Sequence, residues 1–312
     1  MSVQIEVRTG GGGLLVARLT DALGTASVFV APGTYEVTAN GVGFDVQRRT
    51  VTVAGDRVSQ VDFSLTPVTL RAGTGRTLPG PLAEASTQDV VLENGEIAIA
   101  IAAVTEDGQL SPATRGKPRD LAARGFADQL DWMNLPYASL AQPRGGNAWQ
   151  QRTVRTTAVT VPEPGVVRAE GASTQVPQLA VVTTYRLEAR ARSITAASTF
   201  SNGGATPLTV WVGDVIDHDG TGQRSGVAGH GTITSGPSDL TPAGRWIGMT
   251  GTDGQLYGLV YDEGGWIAYA AGIWVMTQRR VTVAAGETFT LSRRIVATAA
   301  GRGDPWAPLD RI

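Results

Sequence analysis

The chain contains no cysteine and only one lysine, Lys117, among its 312 residues. Without cysteine, a disulfide framework, a zinc–thiolate site and a thiol nucleophile are all excluded. The other basic residues are arginines that never cluster beyond a pair, and the formal net charge is −2. The concentrated positive face that phosphate binding requires is therefore missing, and nucleic acid is excluded as a partner. The preference for arginine indicates GC-rich coding or a surface poor in flexible cations, and no function follows from it.

Long apolar runs are also absent. No stretch approaches the roughly 18–20 apolar residues of a membrane helix, so we expect a soluble chain without a membrane span. The start at Met1 already alternates like a strand and lacks the charged and apolar regions of a signal peptide. We expect an extracellular or cell-surface protein whose signal has been removed, or a segment of something longer, with the cytoplasm as the alternative.

What the sequence has in quantity is strand and turn chemistry. Glycine is frequent at 40 residues, 42% of the residues are apolar, and only 17% are charged. After the Pro32-Gly33 turn, Tyr35, Val37 and Ala39 share one face of a strand, because side chains alternate along extended chain. We expect Tyr35 to lie in the core of this unit. Further strands are predicted over 26–30 and 58–65.

The patterning divides the chain into two units. Residues 1–66 predict a small antiparallel β-sandwich, residues 67–88 a proline-rich linker, and residues 89–312 a larger antiparallel β-sandwich or supersandwich. The fold class is therefore all-β. Asn94-Gly95 between apolar runs is typical of a hairpin. Residues 118–131 predict the best short helix, because Pro118 suits a first turn and Leu121, Phe126 and Leu130 recur near helical spacing.

Two resemblances accompany these patterns. Residues 26–65, with Phe29 to Ala39, Gly43-Phe44 and the segment to Leu65, resemble carboxypeptidase-regulatory-like domains, which implies a transthyretin-like sandwich acting as a spacer or adhesion module. Residues 90–300, through Leu92 to Glu96, the segments 183–188 and 198–202, and 256–259, resemble galactose-mutarotase-like supersandwich domains of bacterial secreted proteins. That likeness implies binding or processing of carbohydrate. The paired histidines and the glutamate base of mutarotases have no counterpart here.

A polar loop is the first candidate site. Asp217, Asp219 and Thr221 occupy alternate positions of an oxygen-ligand loop, with Gly222 at the sharp turn, which is a calcium-like pattern. Position 12 of such a loop is Ala228 rather than Glu, so a polar turn whose Asp side chains bind their own backbone is the alternative. Both histidines, His218 and His230, fall in the same region, and with an Asp they predict a zinc site or an acid/base pair.

Aromatic residues form the second candidate site. Trp132 and Trp149 flank a loop rich in proline and glycine that also holds Tyr137, and aromatic faces can stack against sugar rings. The alternative is ordinary core packing, which is common for Trp in sandwiches.

Three functions follow from these features. The first is a non-catalytic extracellular or cell-surface protein that serves as an adhesion, scaffold or carbohydrate-binding module, with carbohydrate or another surface protein as partner. The second is a carbohydrate-active enzyme domain or the accessory region of a secreted hydrolase. The third is a structural subunit of a filament or phage-like assembly, which implies a homo-oligomer, because β chains with few charges suit edge-to-edge pairing.

Overall fold

The structure, a computed structural model, describes residues 2–104, 115–143, 154–217, 222–234, 238–242, 244–270 and 274–312. Nearly all regular structure in these ranges is extended. The first strands in chain order are β1 (Gln4–Thr9), β2 (Leu14–Leu19), β3 (Gly33–Asn40), β4 (Gln47–Val53), β5 (Leu70–Gly73), β6 (Val90–Asn94), β7 (Ile97–Ile101), β8 (Pro118–Ala123), β9 (Trp132–Ser139), β10 (Val154–Glu163) and β11 (Val166–Ser173). The later elements are β12 (Leu179–Arg186), β13 (Ser193–Asn202), β14 (Leu208–Asp217), β15 (Arg224–Val227), β16 (Gly231–Thr232), β17 (Ser238–Leu240), β18 (Trp246–Thr250), β19 (Gln255–Tyr261), β20 (Ile267–Ala270), β21 (Trp274–Val283), β22 (Thr288–Ala299) and α1 (Ala307–Asp310).

These strands form four sheets, and the neighbouring strands pair antiparallel. Their orders are β2-β1-β3-β4, then β10-β11-β12-β13-β22-β19-β18-β15-β16, then β17-β20-β21-β14-β9, and finally β5-β6-β7-β8. The all-β, antiparallel prediction is confirmed. Residues Trp274–Val283 form one continuous strand, β21.

The largest apolar core lies where the nine-stranded sheet packs against the two sheets that contain β14 and β7. Phe200 and Ile295 enter it from the nine-stranded sheet, Val212 and Val275 from β14 and β21, and Ile99 from β7. All five side chains are fully buried. This layering explains why so many of the longer strands carry an apolar residue at every second position.

The sheet of β5 to β8 is buried on both faces. In β7, Ile97, Ile99 and Ile101 face the largest core, whereas Ala98 and Ala100 face a smaller cluster that includes residues of the preceding segment 78–91. The isoleucine side chains fill the space towards the largest core, whereas the small alanines allow segment 78–91 to lie close to the sheet. The Asn94-Gly95 hairpin forms as predicted, with Glu93 opposite Ala98. Strand β5 lies within the predicted linker and pairs with β6.

In the first unit, β1 to β4 form a single four-stranded sheet. Tyr35 is buried, as its alternation predicts, and its hydroxyl donates a hydrogen bond to the carbonyl of Ala31 at 2.7 Å. The strands predicted over 26–30 and 58–65 do not form. Residues 58–65 contact β4 through side chains rather than through a ladder of backbone hydrogen bonds. The Gln47 side-chain amide donates to the Ser64 carbonyl, and Arg49 lies over the Phe63 ring.

Arg76 ties the first sheet to the second unit. Its Nη1 donates to Glu93 Oε1 at 2.7 Å and to the carbonyl of Phe44 at 2.9 Å. Its Nη2 donates to Asn40 Oδ1 at 3.2 Å and to the carbonyl of Gly41 at 3.0 Å. The small sheet therefore rests on β6 through a buried guanidinium, as a unit too small to bury a core of its own requires.

The predicted helix over 118–131 is wrong. Residues Pro118–Ala123 form β8, which pairs with β7, and residues 124–131 contain no helix. Asp128 holds the following turn, because its Oδ1 accepts the backbone N–H of Leu121 at 2.8 Å and of Leu130 at 3.3 Å. Pairing with a buried neighbour strand outweighs a helix propensity already weakened by Gly125.

The segment of residues 301–312 packs into a slot lined by glycines. Gly226, Gly248 and Gly258 are in register across β15, β18 and β19. A Cβ on Gly226 would lie 2.5 Å from the Trp306 ring, and one on Gly258 would lie 2.5 Å from Leu309. The absence of side chains at these positions therefore creates the space that the segment fills.

Candidate functional site

A group of polar side chains lies inside the core of the second unit. We call it the core polar cluster, and its members are Lys117, Asn134, Asp214, Tyr261, Thr277 and Arg293. Each of these side chains is at most 2% exposed. Buried ionic groups of this kind require partners, since charge is costly to remove from water.

Arg293 and Asp214 form the centre of this cluster. Arg293 stands on β22, in the middle of the nine-stranded sheet, and Asp214 stands opposite it on β14. Arg293 Nη2 donates to Asp214 Oδ1 at 2.9 Å, and Nη1 donates to Ser198 Oγ at 2.8 Å. Burial raises the pKa of Asp214, and the charge of Arg293 opposes that shift. The ion pair thus links two sheets across the core.

Tyr261 and Thr277 complete the contacts of Asp214. The Tyr261 hydroxyl donates to Asp214 Oδ2 at 3.0 Å and lies 2.7 Å from Thr277 Oγ1. The backbone N–H of Asp214 donates to the same Thr277 oxygen at 3.3 Å. Burial raises the pKa of Tyr261 well above its usual range. Both carboxylate oxygens of Asp214 are therefore occupied.

Lys117 and Asn134 form the other half of the cluster. Lys117 directly precedes β8, and Asn134 stands on β9. The Nζ of Lys117 contacts Oδ1 of Asn134 as a hydrogen-bond donor. Burial lowers the pKa of Lys117 to about 7, while the nearby charge of Asp214 opposes the shift. Near neutral pH much of this amine is therefore uncharged and carries a free lone pair.

The main chain beside these two residues is fixed by Tyr185. Its hydroxyl lies 3.2 Å from the carbonyl oxygen of Gly116 and 3.4 Å from that of Leu135. Gly116 adjoins Lys117, and Leu135 adjoins Asn134. A single buried side chain on β12 thus bridges the backbone of both partners.

Only indirect signals for this cluster are present in the sequence. Asp214 interrupts the apolar run of β14, and a charge there implies a buried partner. Lys117 is the one lysine of the chain, which composition alone could not connect to a site. The pairing of Asp214 with Arg293, 79 positions later, depends on strand order that no local pattern specifies.

Of the predicted metal residues, His218, Asp219 and Thr221 lie outside the described residues. Asp217 ends β14, opposite Trp132 and Trp274 in the neighbouring strands. His230 is an exposed turn residue whose Nε2 lies 2.9 Å from the carbonyl oxygen of Thr241. Within the part of the chain that the structure describes, no group of three or more metal-ligating acidic or histidine residues occurs. Calcium at Asp217 stays a prediction.

Of the predicted sugar-stacking residues, Trp149 lies outside the described residues. The prediction for Tyr137 is corrected, because this side chain is fully buried. Its hydroxyl donates to the Thr277 carbonyl at 2.7 Å, and its ring is closed to a ligand at the surface. The outward side of β9 is itself covered by packed aromatic side chains. Trp132 is half-buried and packs against them.

The surface also has a cavity of about 220 Å³ at one end of β21 and β22. It is lined by Asp262, Glu263, Trp266, Arg279, Phe289, Thr290, Leu291 and Ser292. Arg279 donates to Glu263 Oε2 at 2.8 Å and lies over the Trp266 ring, 5.6 Å from its centroid. Aromatic, cationic, acidic and hydroxyl groups thus meet at one accessible place.

No protein-family model and no curated protein matches the chain. Among solved structures it is similar to a TPR-domain containing protein from Parabacteroides distasonis, with 12% identity, 67% of this chain and 47% of that chain covered, and a TM-score of 0.47. It is similar to a galactose mutarotase-like protein from Lactobacillus casei, with 8% identity, 67% and 100% covered, and a TM-score of 0.45. It is also similar to a GH36 alpha-galactosidase from Geobacillus stearothermophilus, with 12% identity, 74% and 42% covered, and a TM-score of 0.38.

The chain thus spans about half the length of the first of these proteins. Galactose mutarotase-like proteins are among the solved structures that are similar to it. Likenesses this distant identify neither a family nor an activity. The resemblance of residues 26–65 to carboxypeptidase-regulatory-like domains stays a prediction. No helix among the described residues is both long enough and apolar enough to cross a bilayer.

Proposed function

We propose that this chain is a non-catalytic scaffold or adhesion module that works through surface contacts, at the cell surface or outside the cell. The observation that carries the proposal is the closure of the core polar cluster. Catalysis on an external substrate requires a side chain that has a shifted pKa and can also reach the substrate. Lys117, Asp214 and Tyr261, whose pKa values are shifted, are instead sealed between sheets.

The first sheet supplies the contact surface. Large apolar side chains are exposed at nine described positions, and six of them lie between residues 14 and 58: Leu14, Leu15, Leu19, Leu23, Phe29 and Val58. Three of the six are on β2, which is an edge strand of its sheet. An edge strand with exposed apolar side chains is a template for pairing with another strand. We take its partner to be β2 of a second copy of the chain.

The test is the association state of the purified chain over a wide concentration range, followed by sedimentation. We expect association of the wild type and its loss in Leu15→Lys, because a lysine on an edge strand opposes pairing. The matched control is Val161→Lys on β10, the edge strand of the nine-stranded sheet, where Val161 is also exposed. A wild type that stays monomeric throughout, or equal loss in both variants, contradicts the contact surface.

Carbohydrate binding is the second candidate function, and the cavity beside Trp266 favours it. Sugar sites combine an aromatic surface with convergent polar groups that bind hydroxyls. Here Glu263 and Arg279 supply charge, and Thr290 and Ser292 supply hydroxyls to the lining.

A glycan array tests this candidate directly. We expect a positive glycan to lose binding in Arg279→Ala and to keep it in Arg168→Ala, an exposed arginine on β11 that also pairs with a glutamate. Binding that survives Arg279→Ala places the sugar elsewhere. Turnover of any bound sugar would contradict the non-catalytic proposal itself.

A further inference from the structure

We propose that Lys117 and Asn134 become joined by an intramolecular isopeptide bond between Nζ of the lysine and Cγ of the asparagine. The residues come from different sheets. Lys117 borders β8, the edge of the sheet of β5 to β8, and Asn134 lies on β9, the edge of the sheet that contains β14. The bond would staple these two edges together. The inference is independent of the proposed function.

The two reacting groups are held close together. The Nζ atom contacts Oδ1 of Asn134, and a C=O bond is about 1.23 Å long, so the amine lies close to the attack distance of about 3–3.5 Å from Cγ. Both side chains are essentially unexposed. Tyr185 holds the backbone next to each partner. The reacting groups are thus oriented by the fold before any reaction occurs.

The amide nitrogen of Asn134 differs from those of the other buried asparagines. Four asparagines of the described residues are buried: Asn40, Asn94, Asn134 and Asn202. The side-chain nitrogens of the other three donate to backbone carbonyls. The Nδ2 of Asn134 has no hydrogen-bond partner among the described residues. A buried unsatisfied donor requires an explanation, and a nitrogen that departs as ammonia provides one.

The protonation state of Lys117 also favours the reaction. Attack requires a neutral amine, and burial lowers the pKa of Lys117 to about 7. The amine lone pair forms a C–N bond to Cγ, the bond from Cγ to Nδ2 breaks, and one proton passes from Nζ to the leaving nitrogen. The products are a secondary amide and ammonia, so no oxidant or further reactant is needed. No step is assigned to Asp214, because both of its oxygens are already bound.

The closed site also explains why this reaction would not reverse readily. Hydrolysis of the amide requires water, and the surrounding residues Met133, Leu135 and Tyr137 are buried. Ammonia is small and leaves, whereas the amine and the carbonyl stay fixed. Accordingly, we expect the bond to form once, after folding, and to persist.

Intact mass spectrometry of the purified, denatured wild type tests the proposal. We expect a mass about 17 Da below that of the sequence, the mass of one ammonia. Trypsin should release one species in which residues 116–119 are joined to residues 125–144, and fragmentation should place the link at Lys117 and Asn134. A full mass together with separate peptides overturns the proposal.

A second readout uses the single lysine. When the unfolded wild type reacts with an amine-directed ester, we expect one label, at the chain's N-terminus, rather than two. Full labelling of Lys117 overturns the proposal, whatever the mass.

Variants exclude another source of ammonia loss. Asn-Gly pairs such as Asn202-Gly203 can lose ammonia by forming a cyclic imide within the backbone. In Lys117→Met, whose unbranched side chain suits the same core space, the mass deficit should disappear while the circular dichroism spectrum of the fold is kept. A deficit that persists in Lys117→Met overturns the assignment, and the linked tryptic species decides the matter if that variant does not fold.

Discussion

At the scale of single residues, this molecule is organised by buried charges whose partners come from distant parts of the chain. Arg293 and Asp214 meet across the core, and Arg76 meets Glu93 where the first sheet rests on the second unit. Such pairs contribute less to stability than their geometry suggests, because each charge has been removed from water. Their loss is costly, however, when only one partner is removed.

Asp214→Asn should therefore lower the free energy of unfolding by about 3–5 kcal/mol, because Arg293 would remain buried without a counter-charge. Urea unfolding of the two proteins measures the difference. The double variant Asp214→Leu/Arg293→Met is the control and should recover most of the loss, since both charges are gone. If the double variant is as unstable as the single one, packing rather than unpaired charge is responsible.

A second residue-scale prediction concerns Asp120, whose pKa burial raises to about 7 from an ordinary 3.8. Between those values the folded state binds a proton that the unfolded chain does not. The contribution of Asp120 to stability is therefore fully present below about pH 4 and is lost as pH rises towards 7, by up to about 1.4 kcal/mol per pH unit. Burial also raises the pKa of the neighbouring Asp128, which acts in the same direction.

Urea unfolding at a series of pH values tests this slope. Asp120→Asn should flatten it, because the amide oxygen Oδ1 can still accept the backbone N–H groups of Glu84 and Ala85 but does not titrate. An unchanged slope in the variant would assign the pH dependence to other groups.

At the scale of elements, local pattern predicted strands well where one face is buried. The hairpin at Asn94-Gly95 and the strand β3, which carries Tyr35, follow from turn residues and alternation. Prediction failed where contacts with another segment of the chain determine the secondary structure. Residues 118–131 have apolar side chains near helical spacing, yet Pro118–Ala123 pair with β7. Residues 58–65 alternate like a strand, yet side chains rather than backbone groups join them to their neighbours.

The candidate site was harder to predict from the sequence than the fold was. Lys117 and Asn134 are ordinary residues in their local context, and only the arrangement of two sheet edges brings them together. The loop around Asp217 was conspicuous because its candidate ligands are close in sequence. Sites assembled from distant strands have no comparable local signal, since register and sheet order determine them.

Gly213 gives an element-scale prediction. It sits at an irregularity in the pairing of β14 with β9, and a Cβ there would lie 1.8 Å from the carbonyl oxygen of Thr277. Gly213→Ala should lower the free energy of unfolding by about 1–3 kcal/mol, because the backbone of β14 or β21 must shift. Gly73→Ala on β5 is the matched control, since its Cβ meets nothing within 4 Å. Equal effects in urea unfolding would contradict the steric explanation.

At the scale of the whole molecule, residues 301–312 bind across three strands. The Trp306 ring stacks on Trp246 with centroids 5.5 Å apart, and its Nε1 donates to Thr232 Oγ1 at 3.1 Å. The Nε1 of Trp246 in turn donates to Asp310 Oδ1 at 2.7 Å. The segment therefore covers apolar surface of β18 and β19 that would otherwise face water.

Trp306→Ala should lower the free energy of unfolding by about 3–5 kcal/mol, because a large, buried ring is lost from a slot that cannot collapse around it. Ile312→Ala, in the same segment but partly exposed, should change it by less than about 0.5 kcal/mol. Chemical denaturation followed by tryptophan fluorescence compares the two. Similar losses would mean that the segment is held by its end rather than by Trp306.

The slot lined by Gly226, Gly248 and Gly258 is a preformed receptor for a short peptide. A chain shortened before residue 301 would carry that receptor vacant, and a synthetic dodecapeptide of residues 301–312 would be its ligand. The two pieces together would then behave as a split-protein pair, in which peptide capture restores the intact molecule and can be read as a complementation signal.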